Sequence, residues 1–462
     1  MRRLSMTLAL GLILGCNSTP STYEQYRNLA SEPIDRVSDA GPTGGRVPIP
    51  HLDDAPLFEG HGELLLVDYL AEVLRRNPSL DAARSAWQAA LARFPQVTEL
   101  DDPMLGYGLA PGSIRSDDVD LAQRIELSQR LPWPGKLELR GEMALAEADA
   151  RRADFRTDRD RLLNAAKTAY FEHYYVYRAI EVNEVNKAIL AEFRGIAEAK
   201  YGAGTASVQD ALQAEVAFDH LLHRGIVLER TRRVARGRLN TLLNRSPAAV
   251  LPAPPATLEL PRPRPRYEDL LARAQSTRPE LAALAHRMRG QAAAHDLART
   301  ESYPDFTVSA GYNSLWQEDD LRPIVGVGLN LPVFRDRLRS AEDEAVAEFR
   351  RLHAQLSEQT LEVALEVQEA YERLVESEHV VELYRSQLVP AATENLEAAR
   401  SEYVAGGVDF LSLLAAERSL MEAQLAEQEA LTSYHLRVAD LERVVGLPWS
   451  ELSATSEEEV QP

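Results

Sequence analysis

The chain repeats itself at a spacing of roughly two hundred residues, and that duplication limits the available folds more than any other feature. Tyr201-Gly202-Ala203-Gly204-Thr205, running on through Asp210 to Glu215, returns as Tyr403-Val404-Ala405-Gly406-Gly407, running on through Ser412 to Glu417. Asn77-Pro78-Ser79-Leu80-Asp81 returns as Arg278-Pro279-Glu280-Leu281-Ala282, Thr168-Ala169-Tyr170-Phe171-Glu172 as Gln368-Glu369-Ala370-Tyr371-Glu372, and Leu131-Pro132 as Leu331-Pro332. So many anchors in one order describe two copies of one long unit and exclude a short solenoid repeat. The first unit covers residues 63–250 and the second 267–448, joined by a Pro-rich linker at 251–266 and followed by a tail at 449–462. Each unit reads as short helix, strand hairpin, then two very long helices.

The hairpins show as a change of period. Val119, Leu121, Ile125 and Leu127 alternate with polar residues, broken once by Gln123, after a Gly-rich strand at Met104 to Leu109. The second copy is cleaner: Phe306, Val308, Ala310 and Tyr312 share one face against Thr307, Ser309, Gly311 and Asn313, and Val325, Val327, Leu329 and Leu331 alternate with Gly326, Gly328 and Asn330. Strict alternation is the period of a strand with one apolar face, and it suits a membrane-spanning strand. The hairpins occupy about 103–131 and about 305–331.

The helices that follow, about 135–201 with 205–245 and about 335–402 with 408–446, are far longer than globular helices; ~65 residues span about 100 Å. Val367, Ala370, Leu374, Val381, Tyr384 and Leu388 step as a coiled-coil seam, with Ala364, Tyr371 and Val375 as a second stripe beside it. Two stripes call for two neighbours. Only Pro390 interrupts the second long helix.

Residues 1–15 carry Arg2 and Arg3 before an apolar run from Leu4 to Leu14, the pattern of a secretory signal. Ile13-Leu14-Gly15-Cys16 resembles a bacterial lipobox, which implies lipidation of Cys16, the only cysteine; Asn17 after it points to the outer membrane. Residues 16–62 then read as a tether. A net charge of −20 argues against nucleic acid as a partner. Mean hydropathy is −0.29, and no later apolar run reaches the ~20 residues of a membrane helix.

Four strands cannot close a barrel, and open edges are not tolerated in lipid. Either the hairpins are soluble and pack on a core, or several copies share one barrel, continued by a tube of long helices. Taken together, the duplicated unit, the Pro-terminated hairpins and the two Tyr-x-x-Gly turns followed by Asp210-Ala211-Leu212 and Ser412-Leu413-Leu414 resemble the TolC family of outer membrane efflux proteins. The resemblance implies a mainly α fold with membrane β-strands, assembling as a homotrimer whose α-barrel continues a 12-stranded β-barrel. It implies a passive outer-membrane channel with a large periplasmic part, docked to a periplasmic adaptor protein and an inner-membrane pump of the resistance-nodulation-division type. No cofactor and no catalysis are expected.

Within that resemblance Gly204, Thr205, Gly406 and Gly407 mark the periplasmic tip and adaptor contacts, although plain interhelical turns account for the glycines equally well. Asp210 matches a gate position; Ser412 stands at the second one, leaving Asp409 as a substitute, and helix capping is the alternative for both acids. Trp133-Pro134-Gly135-Lys136 is similar to stretches of cation-efflux members. Two rival readings are an enzyme, for which only the helical Asp219, His220 and His223 offer metal-ligand chemistry, and a structural coiled-coil lipoprotein without a channel, which has no use for two alternating hairpins.

Overall fold

The computed structural model describes Glu24, Arg27 and residues 57–58, 62–115, 120–261, 264–316 and 318–452. Cys16 with its signal, most of the 16–62 tether, Val119 and the tail beyond 452 lie outside the described residues. In chain order the first copy contains α1 (Leu66–Arg76), α2 (Pro78–Leu91), α3 (Arg93–Thr98), β1 (Met104–Leu109), β2 (Gln123–Leu131), α4 (Lys136–Gly202) and α5 (Val208–Leu242). The second contains α6 (Tyr267–Thr277), α7 (Pro279–Thr300), β3 (Phe306–Asn313), β4 (Pro323–Leu329), α8 (Arg335–Leu383), α9 (Val389–Ala405) and α10 (Phe410–Val445).

The chain forms two compact units. One includes Ala82–Ala153 and Ala283–Gln355; the other includes Asp154–Ala282 and Leu356–Pro462. The first unit holds a single antiparallel sheet in the order β1-β2-β3-β4. Each copy supplies one hairpin, and β2 pairs with β3 from Leu131 opposite Phe306 to Arg124 opposite Asn313. β2 therefore begins at Gln123 and runs to Leu131, later than the alternation from Val119 suggests, because pairing with β1 and β3 selects the residues that enter the ladder. Below the sheet Trp87 and Leu91 of α2 pack on Ala148 of α4.

In the second unit the long helices lie side by side. α4 packs one flank on α5, with Leu162, Ala166 and Ala169 against Leu239 and Leu243. Its other flank meets α10, where the Asn164 amide donates to Asp440 at 3.2 Å, Lys167 pairs with Glu442, and Phe171 stacks on His435 at 4.9 Å. α10 in turn carries α8, through Val363, Val367 and Leu374 against Tyr434, Val438 and Leu441. Along this stretch the order is α5–α4–α10–α8, while nearer the turns α5 also reaches α10, where Arg224 lies 3.7 Å from the Met421 sulfur. The seam expected from Val367 to Val381 is buried as a stripe, and Ala364, Tyr371 and Val375 beside it are half-buried. Leu388 departs from it and is exposed, because a π turn at Tyr384–Leu388 separates α8 from α9. Pro390 explains the turn: a proline lacks the N–H for one helical bond and crowds the carbonyl four residues earlier, and one wide turn absorbs both defects. The Pro-rich linker is not a free spacer. The Leu64 N–H donates to Ala253 at 2.7 Å, and the Tyr434 hydroxyl to the Pro261 carbonyl at 2.9 Å.

Candidate functional site

The strand register lines up one chemical face across all four strands. Leu105 lies opposite Leu127 and Tyr107 opposite Ile125; Leu127 lies opposite Ala310 and Ile125 opposite Tyr312; Ala310 lies opposite Val325 and Val308 opposite Val327. Because side chains alternate with a period of two, all of these share one side. Ser128, Ser309 and Gly326 with Glu126, Gly311 and Ile324 occupy the other, which is otherwise rich in Gly, Ser, Thr and charge. The apolar side is uncovered: Val325 is 79% exposed, and Leu105, Tyr107, Leu127 and Val327 are exposed as well. A continuous apolar sheet face left bare marks a surface for lipid or for another protein. β1 and β4 each keep one edge unpaired among the described residues.

At the base of the sheet sits a buried ion cluster. The Lys136 ammonium, 1% exposed, donates to Asp305 Oδ1 at 2.8 Å and to the Tyr303 carbonyl at 3.3 Å. Asp305 also accepts the Trp133 N–H at 3.0 Å and Arg130 at 2.7 Å. Burial alone pushes the Asp305 carboxyl up, but the Lys136, Trp133 and Arg130 bonds outweigh it and hold the pKa at about 2. Trp133 stacks on Tyr303 at 5.0 Å and on Phe306 at 5.8 Å. The cluster welds the end of the first hairpin to the start of the second, so Lys136 of the Trp-Pro-Gly-Lys segment is a structural anchor.

The two glycine turns keep the same local geometry. Gly204 has φ 71° and Gly406 φ 83°, left-handed values that side chains rarely adopt. Thr205 and Gly407 complete the turns: the Thr205 N–H donates to the Lys200 carbonyl at 2.9 Å and the Gly407 N–H to Glu402 at 2.8 Å. The helix starts differ. Ser207 caps α5, its hydroxyl donating to Asp210 Oδ1 at 2.8 Å. Asp409 itself caps α10, accepting the Ser412 N–H at 2.9 Å and the Ser412 hydroxyl at 2.6 Å. These bonds hold the Asp409 carboxyl below its ordinary pKa.

Sequence reasoning missed Tyr403 as a partner for the turn region. Its ring is buried against Phe410 at 5.3 Å, with the Lys200 ammonium 4.4 Å from the ring centroid. Burial raises the Tyr403 hydroxyl pKa, and the neighbouring Asp210 carboxylate raises it further. The two copies are thus brought together, Tyr403 of the second facing Asp210 of the first. Glu417 was also missed as a special residue: it is 4% exposed inside α10, and burial pushes its pKa up to about 7. Among the described residues no group of three His, Cys, Asp or Glu comes together to hold a metal, and Asp219, His220 and His223 form no such cluster. No described helix is long and apolar enough to cross a membrane.

Comparison with known proteins agrees with this geometry. The chain is 23% identical over 185 residues to the cobalt-zinc-cadmium resistance protein CzcC of Cupriavidus metallidurans; the match spans 40% of this chain and 43% of that protein, so less than half of the relative's length is covered. The outer-membrane channel OprN shares the fold at TM-score 0.68 and 21% identity, over 83% of this chain and 90% of that one. VceC, an outer membrane protein of Vibrio cholerae, does so at TM-score 0.70 and 20% identity, over 83% and 96%. The family described as "Outer membrane efflux protein" matches residues 69–245 and again 270–447, one match per copy. With both copies matched, the chain belongs to the outer membrane efflux protein family, the TolC-type channels.

Proposed function

We infer that three copies of this chain assemble into one passive channel through the bacterial outer membrane, the exit duct of a tripartite efflux system. The observation that carries this reading is the bare apolar face running across four strands whose two outer edges are unpaired. A sheet with open edges cannot sit in lipid, whereas three such sheets joined edge to edge close a 12-stranded barrel, apolar outside and polar within. The long helices then form the periplasmic tunnel. A periplasmic adaptor docks at the turns around Gly204, Thr205, Gly406 and Gly407, and a resistance-nodulation-division pump supplies the substrate. Lipidated Cys16 anchors each copy to the membrane. The decisive experiment measures mass in detergent and conductance in a planar bilayer; a monomer without conductance rejects the channel.

The gate reading centres on Asp210. Its position beside the buried Tyr403 supports a link between the first and second copies that keeps the tunnel end narrow. Asp409 acts in the gate only as the cap that rigidifies the start of α10. Asp210→Ala is expected to raise bilayer conductance and antibiotic sensitivity, and unchanged conductance removes Asp210 from the gate. For cargo, the similarity to a cobalt-zinc-cadmium resistance protein favours divalent transition-metal cations. Deleting the gene should then sensitise cells to cobalt, zinc or cadmium; sensitisation to organic drugs alone would reassign the cargo.

A further inference from the structure

A cleft of about 670 Å³ lies at the foot of the second hairpin, between the end of α7 and the start of α8. Its size falls within the roughly 300–1,000 Å³ of small-ligand sites. Three guanidiniums line it: Arg299 from α7, and Arg335 and Arg339 from α8. Two carboxylates line it as well, and each has a nearer partner. Glu342 lies 3.5 Å from Arg299, and Asp296 lies 3.3 Å from His295 Nδ1. Arg335 and Arg339 are exposed and form no ion pair among the described residues. Four residues apart on one helix, they share a face. The first copy differs. Counted from the first residue of each long helix, Lys136 and Arg140 are the counterparts, and both are engaged within the chain, Lys136 with Asp305 at 2.8 Å and Arg140 with Glu301 at 4.0 Å.

The cleft is continuous with the apolar side of the sheet. Tyr303, one of its lining residues, stacks on Trp133 at 5.0 Å, and Trp133 stacks on Phe306, where the apolar face ends. From the other strand, Leu331 extends the alternation of Val325, Val327 and Leu329, and Val333 and Phe334 follow it; all are exposed. Passing down the molecule, the surface changes from aliphatic to aromatic to arginine. Acyl chain, interface and headgroup succeed one another in the same order across half a bilayer. A guanidinium also suits a phosphate, because it offers parallel N–H donors and carries a permanent charge.

We propose that the α7–α8 cleft binds an anionic phospholipid of the leaflet that faces the periplasm. Arg335 and Arg339 hold its phosphate, and Leu331, Val333 and Phe334 lie along its acyl chains. Two guanidiniums without a carboxylate select an anionic lipid over a zwitterionic one, whose own cation offsets its phosphate. Both walls of the cleft belong to one chain, so each copy holds its own lipid. The site fixes the depth of the sheet in the membrane, because sliding along the membrane normal parts guanidinium from phosphate. The inference rests on the channel reading, which puts the sheet in lipid and the long helices in the periplasm.

The full-length protein, stripped of lipid in a neutral detergent, is titrated with phosphatidylglycerol or with phosphatidylcholine of the same chains, and retained lipid is counted by native mass spectrometry. The parent is expected to prefer phosphatidylglycerol, and R335Q with R339Q to weaken its retention about tenfold. R335K with R339K, which keeps the charge, should lose less. R337Q, at an exposed arginine that does not line the cleft, should change nothing. F334S should weaken retention of both lipids. Equal retention of the two lipids by the parent overturns the site, as does undiminished phosphatidylglycerol retention in R335Q with R339Q. Displacement by inorganic phosphate at equal concentration also overturns it, leaving an anion pocket only. A preference for lipopolysaccharide overturns it by moving the contact to the other leaflet. Planar-bilayer conductance of the same samples is scored separately. Conductance without any arginine effect overturns the lipid site alone, and a parent without conductance overturns the channel.

Discussion

The two junctions where a hairpin feeds a long helix come from the same duplicated sequence, yet only one is closed. At the first, Lys136 is buried on Asp305 and Trp133 is sandwiched by Tyr303 and Phe306. At the second, Arg335 is exposed, and Val333 and Phe334 are 67% and 72% exposed. The difference follows from chain order. β2 has β3 beside it in the same molecule, so the end of the first hairpin finds a partner. β4 is the last strand and has no partner on its outer edge among the described residues. A duplicated protein completes its internal joint once within the described chain and leaves the equivalent outer junction open.

The largest test of this contrast is at the junctions. Lys136→Met leaves the Asp305 carboxylate to Arg130 and the Trp133 N–H alone, and removing one side of a buried pair costs about 3 kcal/mol. Arg335→Met should cost less than about 0.5 kcal/mol in the monomer, because it leaves nothing buried and unpaired. Denaturant unfolding of the two variants measures both, and equal losses would dissolve the distinction.

Next comes the pair Glu417 and Glu215, equivalent in sequence but buried and exposed respectively. The Glu417 pKa is raised to about 7 by burial, so the folded chain holds a proton that the unfolded chain releases near the ordinary value of 4.5. Folding stability therefore falls as pH rises from 4.5 to 7 and levels off above. Glu417→Gln should stabilise by on the order of 2 kcal/mol at pH 8 and by nothing near pH 4. Glu215→Gln should do neither. Melting temperatures across pH separate the two.

His173 gives an intermediate effect of the opposite sign. It is buried beneath α5, with neither ring nitrogen hydrogen-bonded among the described residues, and Leu374 stands at the equivalent place in the second copy. Burial first, then Arg232 and Arg236, lowers its pKa to about 4 from 6.5. Stability is complete above pH 6.5 and is lost as pH falls towards 4, because only the unfolded chain takes up the proton there. His173→Leu should recover about 1–2 kcal/mol at pH 5, with an acid slope remaining from His435, whose pKa burial also lowers to about 4. A full acid slope surviving in H173L would deny the burial effect.

The smallest expected change sharpens the comparison of the turns. Asp409→Ala removes the α10 cap and should lower the melting temperature slightly. Asp210→Ala should cost less, because Ser207 caps α5. Thermal unfolding of the two variants checks the order.

Much of this arrangement is readable from residue order. The alternation from Phe306 to Asn313 is strand β3, and the proline-free stretch from Lys136 to Gly202 is a single helix. The glycines at 204 and 406 fall where the backbone turns left-handed. Local patterns are readable because they are set by periodicity and by each residue's own backbone preferences. The alternation that opens at Val119 does not show that β2 starts at Gln123, because pairing with two neighbouring strands, one from the other copy, decides which residues join the ladder. The π turn before Pro390 was invisible because it is how the helix accommodates the proline, not a residue preference. Asp305 for Lys136 and Tyr403 for Asp210 lie far apart along the chain, and no spacing rule connects them.

By itself the sequence determined that two like units exist, that each holds one apolar-faced hairpin and two long helices, and where glycine reverses the chain; all of these depend on period and local sterics. Only the tertiary structure decided which of two equivalent joints is closed within the chain and which of two equivalent glutamates is buried. Those outcomes depend on what packs against each residue, and duplicated sequences acquire different neighbours as soon as one copy follows the other in a single chain.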